Sequence, residues 1–311
     1  MTEQPVGYDV IIIGGGPAGM SAALWCRELG LSTVLFERES EAGGQLLRIY
    51  NPIVNYLGIE AKNGSELRNI FLRQLSKSNR STTLGCTVRT VDLDARSVVL
   101  ENGDRFDFKG LIAATGVRRR RLSIPGESEF AGRGVLESGS KQRESVRGQN
   151  VVIIGGGDAA FENAMILSDY AKRVTVVHRR SAYSARAQFL SAVAEIENVT
   201  FMPNTSPTAI LGSSRARSVE IRNLQSGLTE YIAADSILIR IGVEPVTEIF
   251  QGKIDLDEQG YIRVDQKCAT SFPGVFAAGD AASPTSPTIS TAAGMGSTAA
   301  KAVADWLNRE H

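Results

Sequence analysis

Residues 8–19 read Tyr8-Asp9-Val10-Ile11-Ile12-Ile13-Gly14-Gly15-Gly16-Pro17-Ala18-Gly19, and residues 150–160 repeat the plan as Asn150-Val151-Val152-Ile153-Ile154-Gly155-Gly156-Gly157-Asp158-Ala159-Ala160. Tyr8 to Ile13 alternates and then runs apolar, as a buried parallel strand does. A glycine turn follows, then a helical stretch from Pro17 to Gly30 and a second strand from Thr33 to Glu37. In the later copy Asn150 to Ile154 is the strand, Ala159 to Tyr170 the helix and Arg173 to His178 the second strand. The order β-α-β therefore occurs twice.

Short β-branched runs follow each unit. They are Val88 to Leu93, Ser97 to Glu101 and Arg105 to Phe108 in the first, with Asn102-Gly103 as a hairpin turn. In the second they are Ser218 to Leu224, Leu228 to Ile232 and Ser236 to Ile241. Two βαβ units, each with a β-meander, predict an α/β chain of two Rossmann-like, three-layer ββα dinucleotide-binding domains. Gly116 and the Gly242 to Pro245 stretch are the expected hinges, because Gly and Pro cluster where the pattern switches.

The glycines carry the chemistry. The first permits the tight turn, the second lets backbone N–H groups approach a pyrophosphate, and the third seats helix on strand, so the helix N-terminus faces the anion. The residue ending the second strand then selects the ribose. Glu37 lies 23 residues after Gly14, and a carboxylate there accepts from both hydroxyls of an unphosphorylated ribose, which suits FAD or NAD. The same count from Gly155 lands on His178, followed by Arg179 and Arg180, with Arg186 a turn later. Guanidinium groups pair with phosphate where a carboxylate would repel it, so this second site is expected to prefer the 2′-phosphate of NADPH.

Composition narrows the field further. At 311 residues the chain has the size of a two-domain enzyme, and 34 Lys and Arg balance 34 Asp and Glu, which gives no whole-molecule argument for a nucleic-acid partner. Cys26, Cys86 and Cys268 lie far apart and form no CxxC or metal-type pair. The two histidines, His178 and His311, leave no His-metal cluster and make Ser-His-Asp chemistry improbable. Residues 1–5 lack the basic stretch of a signal peptide, and the apolar run Val10 to Ile13 is far short of a membrane span, so a cytoplasmic location is expected. Cys26, Cys86, Cys268, Trp25 and Trp306 read as packing residues, and Asp158 as a helix N-terminal residue rather than an acid catalyst.

Taken together, these motifs resemble the flavoprotein pyridine-nucleotide oxidoreductases, most closely the low-molecular-weight thioredoxin reductase-like group, and the similarity covers nearly the whole chain. It is carried by GGGPAG with Glu37, Glu41-Ala42-Gly43-Gly44-Gln45-Leu46, Ala114-Thr115-Gly116, Ile124-Pro125-Gly126-Glu127, GGGDAA, Val177-His178-Arg179-Arg180, and Pro273 to Asp280. The resemblance implies an FAD domain of residues 1–115 and 246–311 with an NADPH domain, 116–245, inserted between. Residues 116–244 hold 17 Lys and Arg against 13 Asp and Glu, so the inserted part is the basic one. It implies flavin contacts from Gly14, Gly16, Pro17, Ala18, Gly19, Glu37, Arg38, Gly44, Gln45, Leu46, Tyr50, Asn55, Val88, Ala114, Thr115, Gly116, Gly279, Asp280, Thr288 and Ile289. NADPH contacts are implied from Gly155, Gly157, Asp158, Ala159, His178, Arg179, Arg180 and Arg186. A homodimer is implied too.

Two departures bear on the reaction. Thioredoxin reductases carry a redox dithiol shortly before the second glycine turn; here that stretch reads Gly134-Val135-Leu136-Glu137-Ser138-Gly139-Ser140-Lys141, with serine and lysine in place of the cysteines. A hydroxyl and an ammonium cannot cycle through a disulfide. Beyond Asp280, Pro287-Thr288 replaces the Arg-Gln pair that thioredoxin reductases have near the flavin. Tyr50 sits where the thioredoxin-reductase-like ferredoxin/flavodoxin–NADP⁺ reductases, which also lack the dithiol, stack a tyrosine on the isoalloxazine; the alternative is a core tyrosine. Those enzymes extend their C-terminus over the flavin, whereas here 17 residues follow Gly294. The run Arg118-Arg119-Arg120-Arg121 reads either as a patch steering an acidic carrier or as a solvated loop with one arginine on the nucleotide. Lys141 reads as a flavin contact or a solvent-facing residue.

The expected function is thus an FAD-containing, NADPH-linked oxidoreductase without a dithiol, needing no catalytic side chain because flavin and nicotinamide supply the reacting atoms. Ferredoxin or flavodoxin is the leading acceptor. A low-molecular-weight disulfide, a quinone, oxygen, or a thioredoxin with thiols supplied externally is the first rival, and a non-turnover flavin sensor or scaffold the second.

Overall fold

The computed structural model describes residues 6–76 and 82–310; residues 1–5 and His311 lie outside them. The chain forms two compact units, Met1–Arg118 with Glu244–His311, and Arg119–Val243. The polypeptide crosses between them on two short strands, Val117–Arg119 and Val243–Pro245, which pair with each other.

In the first unit, strand Val6–Ile13 lies between the parallel strands Thr33–Glu37 and Arg105–Ala113. Its alternation divides two cores. Val10 and Ile12 face the helices Pro17–Glu28 and Ile289–Glu310, while Ile11 and Ile13 face Val91, Val98 and Phe250. Both faces are buried, which is why the strand reads as a continuous apolar run. Strand Arg105–Ala113 runs well past the expected Phe108: its first part pairs antiparallel with Ser97–Leu100, its last part parallel with Val275–Ala277. One strand therefore closes the meander and joins the parallel sheet.

The second unit has the same layers, distributed differently. Its parallel sheet runs Val199–Met202, Arg173–Val177, Asn150–Ile154, Ser236–Ile239, Val135–Leu136. The antiparallel layer is a separate sheet of Thr205–Gly212, Ala216–Asn223 and Thr229–Ala233. The expectation that Ser236 to Ile241 belongs to the meander is corrected: it is a parallel strand beside Asn150–Ile154. Ser236, Ile237 and Leu238 are all buried, the continuous pattern of a parallel strand, and a hairpin edge would alternate. Val151 and Ile153 pack on the helix side, Val152 and Ile154 on the meander side. The fold is two Rossmann-like α/β dinucleotide-binding domains, the second inserted in the first.

Candidate nucleotide sites

The first glycine turn is built by close approaches that forbid side chains. Gly14 has φ +111, and a Cβ there would lie 2.2 Å from the Ala114 carbonyl oxygen; one on Gly19 would lie 1.8 Å from the Gly14 oxygen. Gly16 differs, since the nearest atom to its Cβ position is Gly44 Cα at 3.9 Å. The second glycine is thus the open one, as a backbone cradle for a pyrophosphate requires. Pro17 and Ala18 begin the helix behind it, and Gly44, Gln45 and Leu46 open a 3₁₀ turn, Gly44–Arg48, over it. The Gly43 N–H donates to the Gly15 carbonyl at 2.8 Å, and the Gln45 side-chain amide donates to the Val117 carbonyl at 2.7 Å.

Glu37 is buried beneath this turn. One carboxylate oxygen accepts the Gly15 N–H at 2.6 Å and the other the Glu39 N–H at 2.9 Å. A carboxylate has about four lone-pair sites, so both oxygens keep acceptor capacity for ribose hydroxyls. Arg38 points away, exposed and 3.4 Å from Glu39. Two polar groups lack ordinary satisfaction. Thr115 Oγ1, after the Ala114 carbonyl, is buried with no hydrogen-bond partner in the protein. The Asp280 carboxyl, in the turn that Gly279 enters at φ +76, is raised above the usual carboxylate range by burial. An orphaned buried hydroxyl at the foot of the glycine turn, with Thr115 Cα 3.2 Å from the Gly14 Cβ position, fits a hydroxyl-rich cofactor.

Other expected flavin residues scatter. Thr288 caps the 22-residue helix that starts at Ile289, its Oγ1 accepting the Thr291 N–H at 3.1 Å. Tyr50 is half-buried just after the 3₁₀ turn, Asn55 is exposed, and Gly116 adopts φ +65. Val88 starts the strand Val88–Asp92 and packs in the hydrophobic core.

The second turn repeats the geometry with different chemistry. Gly155 has φ +152 and its Cβ would lie 2.1 Å from the Arg240 carbonyl oxygen, whereas a Cβ on Gly157 meets nothing nearer than Ser184 Oγ at 3.7 Å. Gly156 lies over the His178 ring, 2.4 Å from where its Cβ would be. His178 stacks on Tyr183, centroids 5.2 Å apart, and its Nε2 is buried without a partner. Burial first, then the positive Arg180 and Arg179, hold the imidazole below its ordinary pKa of 6.5. His178 therefore packs under the turn with its uncharged form favoured, and the residues after it, Arg179, Arg180 and Arg186, are all exposed. Asp158 and Ala159 open the helix Asp158–Ser168, with Gly157 as N-cap.

The segment replacing the dithiol is a single helical turn, Gly139–Gln142, capped by Ser138, whose buried Oγ accepts the Lys141 N–H at 3.3 Å. Gln142 Oε1 accepts the Glu137 and Ser138 N–H groups at 2.9 and 3.0 Å. Arg119 and Arg240 both donate to the Glu137 carbonyl, a clamp the sequence pattern did not disclose. Burial and the neighbouring Arg119 lower Arg240 to about 10. The second unit contains no cysteine, since all three belong to the first. Burial pushes the Cys26 thiol up to about 12 and that of Cys268 up to about 11.

Nor do the four successive arginines form an open patch. Arg118 pairs with Glu244 at 2.8 Å and Glu248 at 2.5 Å, and Arg120 donates to the Val243 carbonyl at 2.8 Å. With Arg119 on Glu137, three of the four are engaged within the chain. Among the described residues there is no cluster of three or more His, Cys, Asp or Glu able to hold a metal, and no helix long and apolar enough to cross a membrane.

Residues 8–296 match the family model described as pyridine nucleotide-disulphide oxidoreductase. The thioredoxin reductase of Mycolicibacterium smegmatis is 33% identical over 309 residues, covering 98% of this chain and 98% of the relative. The bifunctional thioredoxin reductase/thioredoxin of Mycobacterium leprae is also 33% identical, over 96% of this chain, which spans 66% of that longer protein. Among solved structures, the thioredoxin reductase of Lactococcus lactis in its FR conformation superposes with a TM-score of 0.85 at 33% identity, covering 97% of this chain and 99% of that one.

Proposed function

Since this chain belongs to the pyridine nucleotide-disulphide oxidoreductase family and is an FAD-dependent NADPH oxidoreductase, we propose that it passes electrons from NADPH through FAD directly to an acceptor outside the chain, with no sulfur relay of its own. The observation that carries this reading is the Ser138–Lys141 turn. A capped hydroxyl and an ammonium occupy the place of the two thiols, and the second unit contains no cysteine. Bound FAD supplies hydride acceptance and stepwise electron release; the chain binds, orients and shields.

In this reading the open backbone at Gly16 and Gly44 receives the FAD pyrophosphate, Glu37 accepts from the adenosine ribose, and Thr115 and Asp280 satisfy the ribityl end. In the second unit Gly157 and the helix N-terminus behind it receive the NADPH pyrophosphate, and Arg179, Arg180 and Arg186 the 2′-phosphate. Ferredoxin or flavodoxin is the proposed acceptor, supported by the missing dithiol and by Tyr50 beside the flavin loop. The engaged arginines of residues 118–120 remove the steering patch from that argument. A low-molecular-weight disulfide is the second reading, favoured by the family's disulphide chemistry. The protein is proposed to act as a homodimer, as the sequence resemblance implies.

An anaerobic acceptor panel tests the reading. NADPH should bleach the flavin absorbance of the purified holoprotein, and oxidised ferredoxin or flavodoxin should restore it faster than disulfide or oxygen. Restoration by disulfide alone shifts the assignment to the second reading. Negligible bleaching by either NADPH or NADH points to a sensor or scaffold and overturns it.

A further inference from the structure

Asp158, the first residue of the helix after the second glycine turn, engages a residue 28 positions away. Its Oδ1 accepts the backbone N–H of Arg186 at 2.7 Å and its Oδ2 accepts Arg186 Nε at 2.6 Å. The Gly156 carbonyl meanwhile accepts the backbone N–H groups of Ser184 and Ala185 at 2.8 and 3.1 Å, and the Ser184 hydroxyl at 3.3 Å. The loop that follows Arg179 and Arg180 is therefore fastened to the glycine turn at three consecutive residues, and the last fastening is ionic. Arg186 is the N-cap of the helix Ala187–Ala194, and its guanidinium also lies over the Phe189 ring, 4.9 Å from the centroid.

The chemistry of this contact is specific. A guanidinium meets a phosphate through paired N–H groups. Asp158 takes the Nε–H and the backbone N–H, not a pair of terminal Nη groups, so the fork of Arg186 retains donors for an anion. An exposed arginine otherwise loses rotamer freedom when it binds. Arg186 is 64% exposed and Asp158 41%, so packing alone does not fix the side chain, and the carboxylate supplies the restraint.

We propose that Asp158 is a positioning residue for nucleotide choice: it pre-orients Arg186, the third exposed cation after the second strand with Arg179 and Arg180, so that discrimination in favour of a 2′-phosphorylated nucleotide depends on a carboxylate acting through that arginine. The proposal rests on the reading that the second unit takes NADPH. Two effects of deleting the carboxylate oppose each other. Loss of orientation weakens phosphate binding, while loss of a negative charge strengthens it; the second is screened at high salt, where the Debye length falls to about 3 Å at 1 M, and the first is not. Arg186 N–H and Nε then lose their acceptor, and the arginine must be ordered by the ligand itself.

The test is calorimetric titration of NADP⁺ and of NAD⁺ into the flavin-loaded wild type, Asp158→Ala, Asp158→Asn, Arg186→Ala and Asp158→Ala/Arg186→Ala, at low and at about 1 M salt. Asp158→Ala should weaken NADP⁺ binding about three- to tenfold at high salt and weaken NAD⁺ by a clearly smaller factor, so that the preference between the two falls, while the variant's own melting curve reports the fold. Asp158→Asn, which keeps an acceptor for the Arg186 N–H, should fall between. In the Arg186→Ala background the Asp158 effect should vanish. Unchanged or tighter NADP⁺ binding by Asp158→Ala at high salt would overturn the proposal, as would equal losses for both nucleotides or an effect that persists without Arg186. A wild type that binds the two nucleotides equally would overturn the NADPH reading itself, and the proposal with it.

Discussion

Gly15 lies over the Glu37 carboxylate, and Gly156 lies over the His178 imidazole. Both second strands end in a side chain filling the same place beneath the turn, so the two units share a backbone solution and differ in what that side chain offers. In the first unit it is an anion that hydrogen-bonds the turn at 2.6 Å and retains lone pairs for hydroxyl groups. In the second it is a ring whose uncharged form burial favours, followed by the cations Arg179, Arg180 and, later in the loop, the Asp158-tethered Arg186. A second contrast is steric. Gly19 is required because a Cβ would strike the Gly14 oxygen, whereas the second unit carries Ala160 at the matching position. On the proposed reading the glycines make room for a pyrophosphate, and ligand identity is set by the residues after the second strand.

The sharpest way to break this division of labour is to separate the glycine that shapes the turn from the glycine that faces the ligand. Gly155→Ala forces a Cβ to within 2.1 Å of the Arg240 oxygen at φ +152, an overpacking cost of about 1–3 kcal/mol with backbone strain added. It should lower the thermal midpoint and weaken NADP⁺ binding by about two orders of magnitude, while the flavin spectrum of the other unit persists. Gly157→Ala, with 3.7 Å to its nearest neighbour, should leave the midpoint within a degree or two of wild type and still impair NADP⁺, because only the ligand contests that space. Paired calorimetry and melting curves check both. Equal melting losses would mean that both glycines serve the fold.

How much of this was legible beforehand follows from the range of the forces involved. The two βαβ units, the glycine turns and the positions of Glu37 and of Arg179 and Arg180 at the ends of the second strands are readable because a strand, a glycine turn and a helix are local patterns with fixed spacing. The strand Ser236–Ile239 was misassigned to the meander because its partners, Asn150–Ile154 and Val135–Leu136, are distant in sequence. His178 is adjacent to Arg179 and Arg180 in sequence, and only its burial beneath the turn reveals that its pKa is held below the ordinary value. The run Arg118–Arg121 reads as either a steering patch or a solvated loop, and only the long-range partners of Arg118, Arg119 and Arg120, namely Glu244, Glu248, Glu137 and Val243, remove the patch. The Asp158–Arg186 tether is likewise a long-range contact that no spacing rule flags.

A smaller effect sharpens the charge side of the comparison. Arg179→Ala with Arg180→Ala removes two exposed cations and no core contact. It should raise the NADPH Kd about 10- to 100-fold, at about 1–3 kcal/mol for charge-assisted phosphate contacts, and leave NADH nearly unchanged. Titration of flavin reduction against each nucleotide gives the ratio. An equal loss for both nucleotides would move the arginines from ribose selection to the pyrophosphate or the fold.

The smallest expected effect concerns the imidazole. His178 is held below its ordinary pKa of 6.5, mainly by burial and then by Arg180 and Arg179, so the unfolded chain binds its proton more readily than the folded one. Stability from this residue is fully present above the unfolded value and is lost as pH falls below 6.5 toward the folded value. Other carboxylates titrate nearby in pH, so the quantity to measure is the difference between wild type and His178→Asn. The wild type should lose more melting temperature on acidification from about pH 7 to pH 5, and the variant's curve should be flatter. NADP⁺ should narrow that difference and NAD⁺ should not, because a 2′-phosphate beside the arginines offsets the positive field that disfavours the imidazolium. Parallel curves for wild type and variant would show that folding leaves the imidazole's proton affinity unchanged, and the contrast between an uncharged ring and the Glu37 carboxylate would then fail.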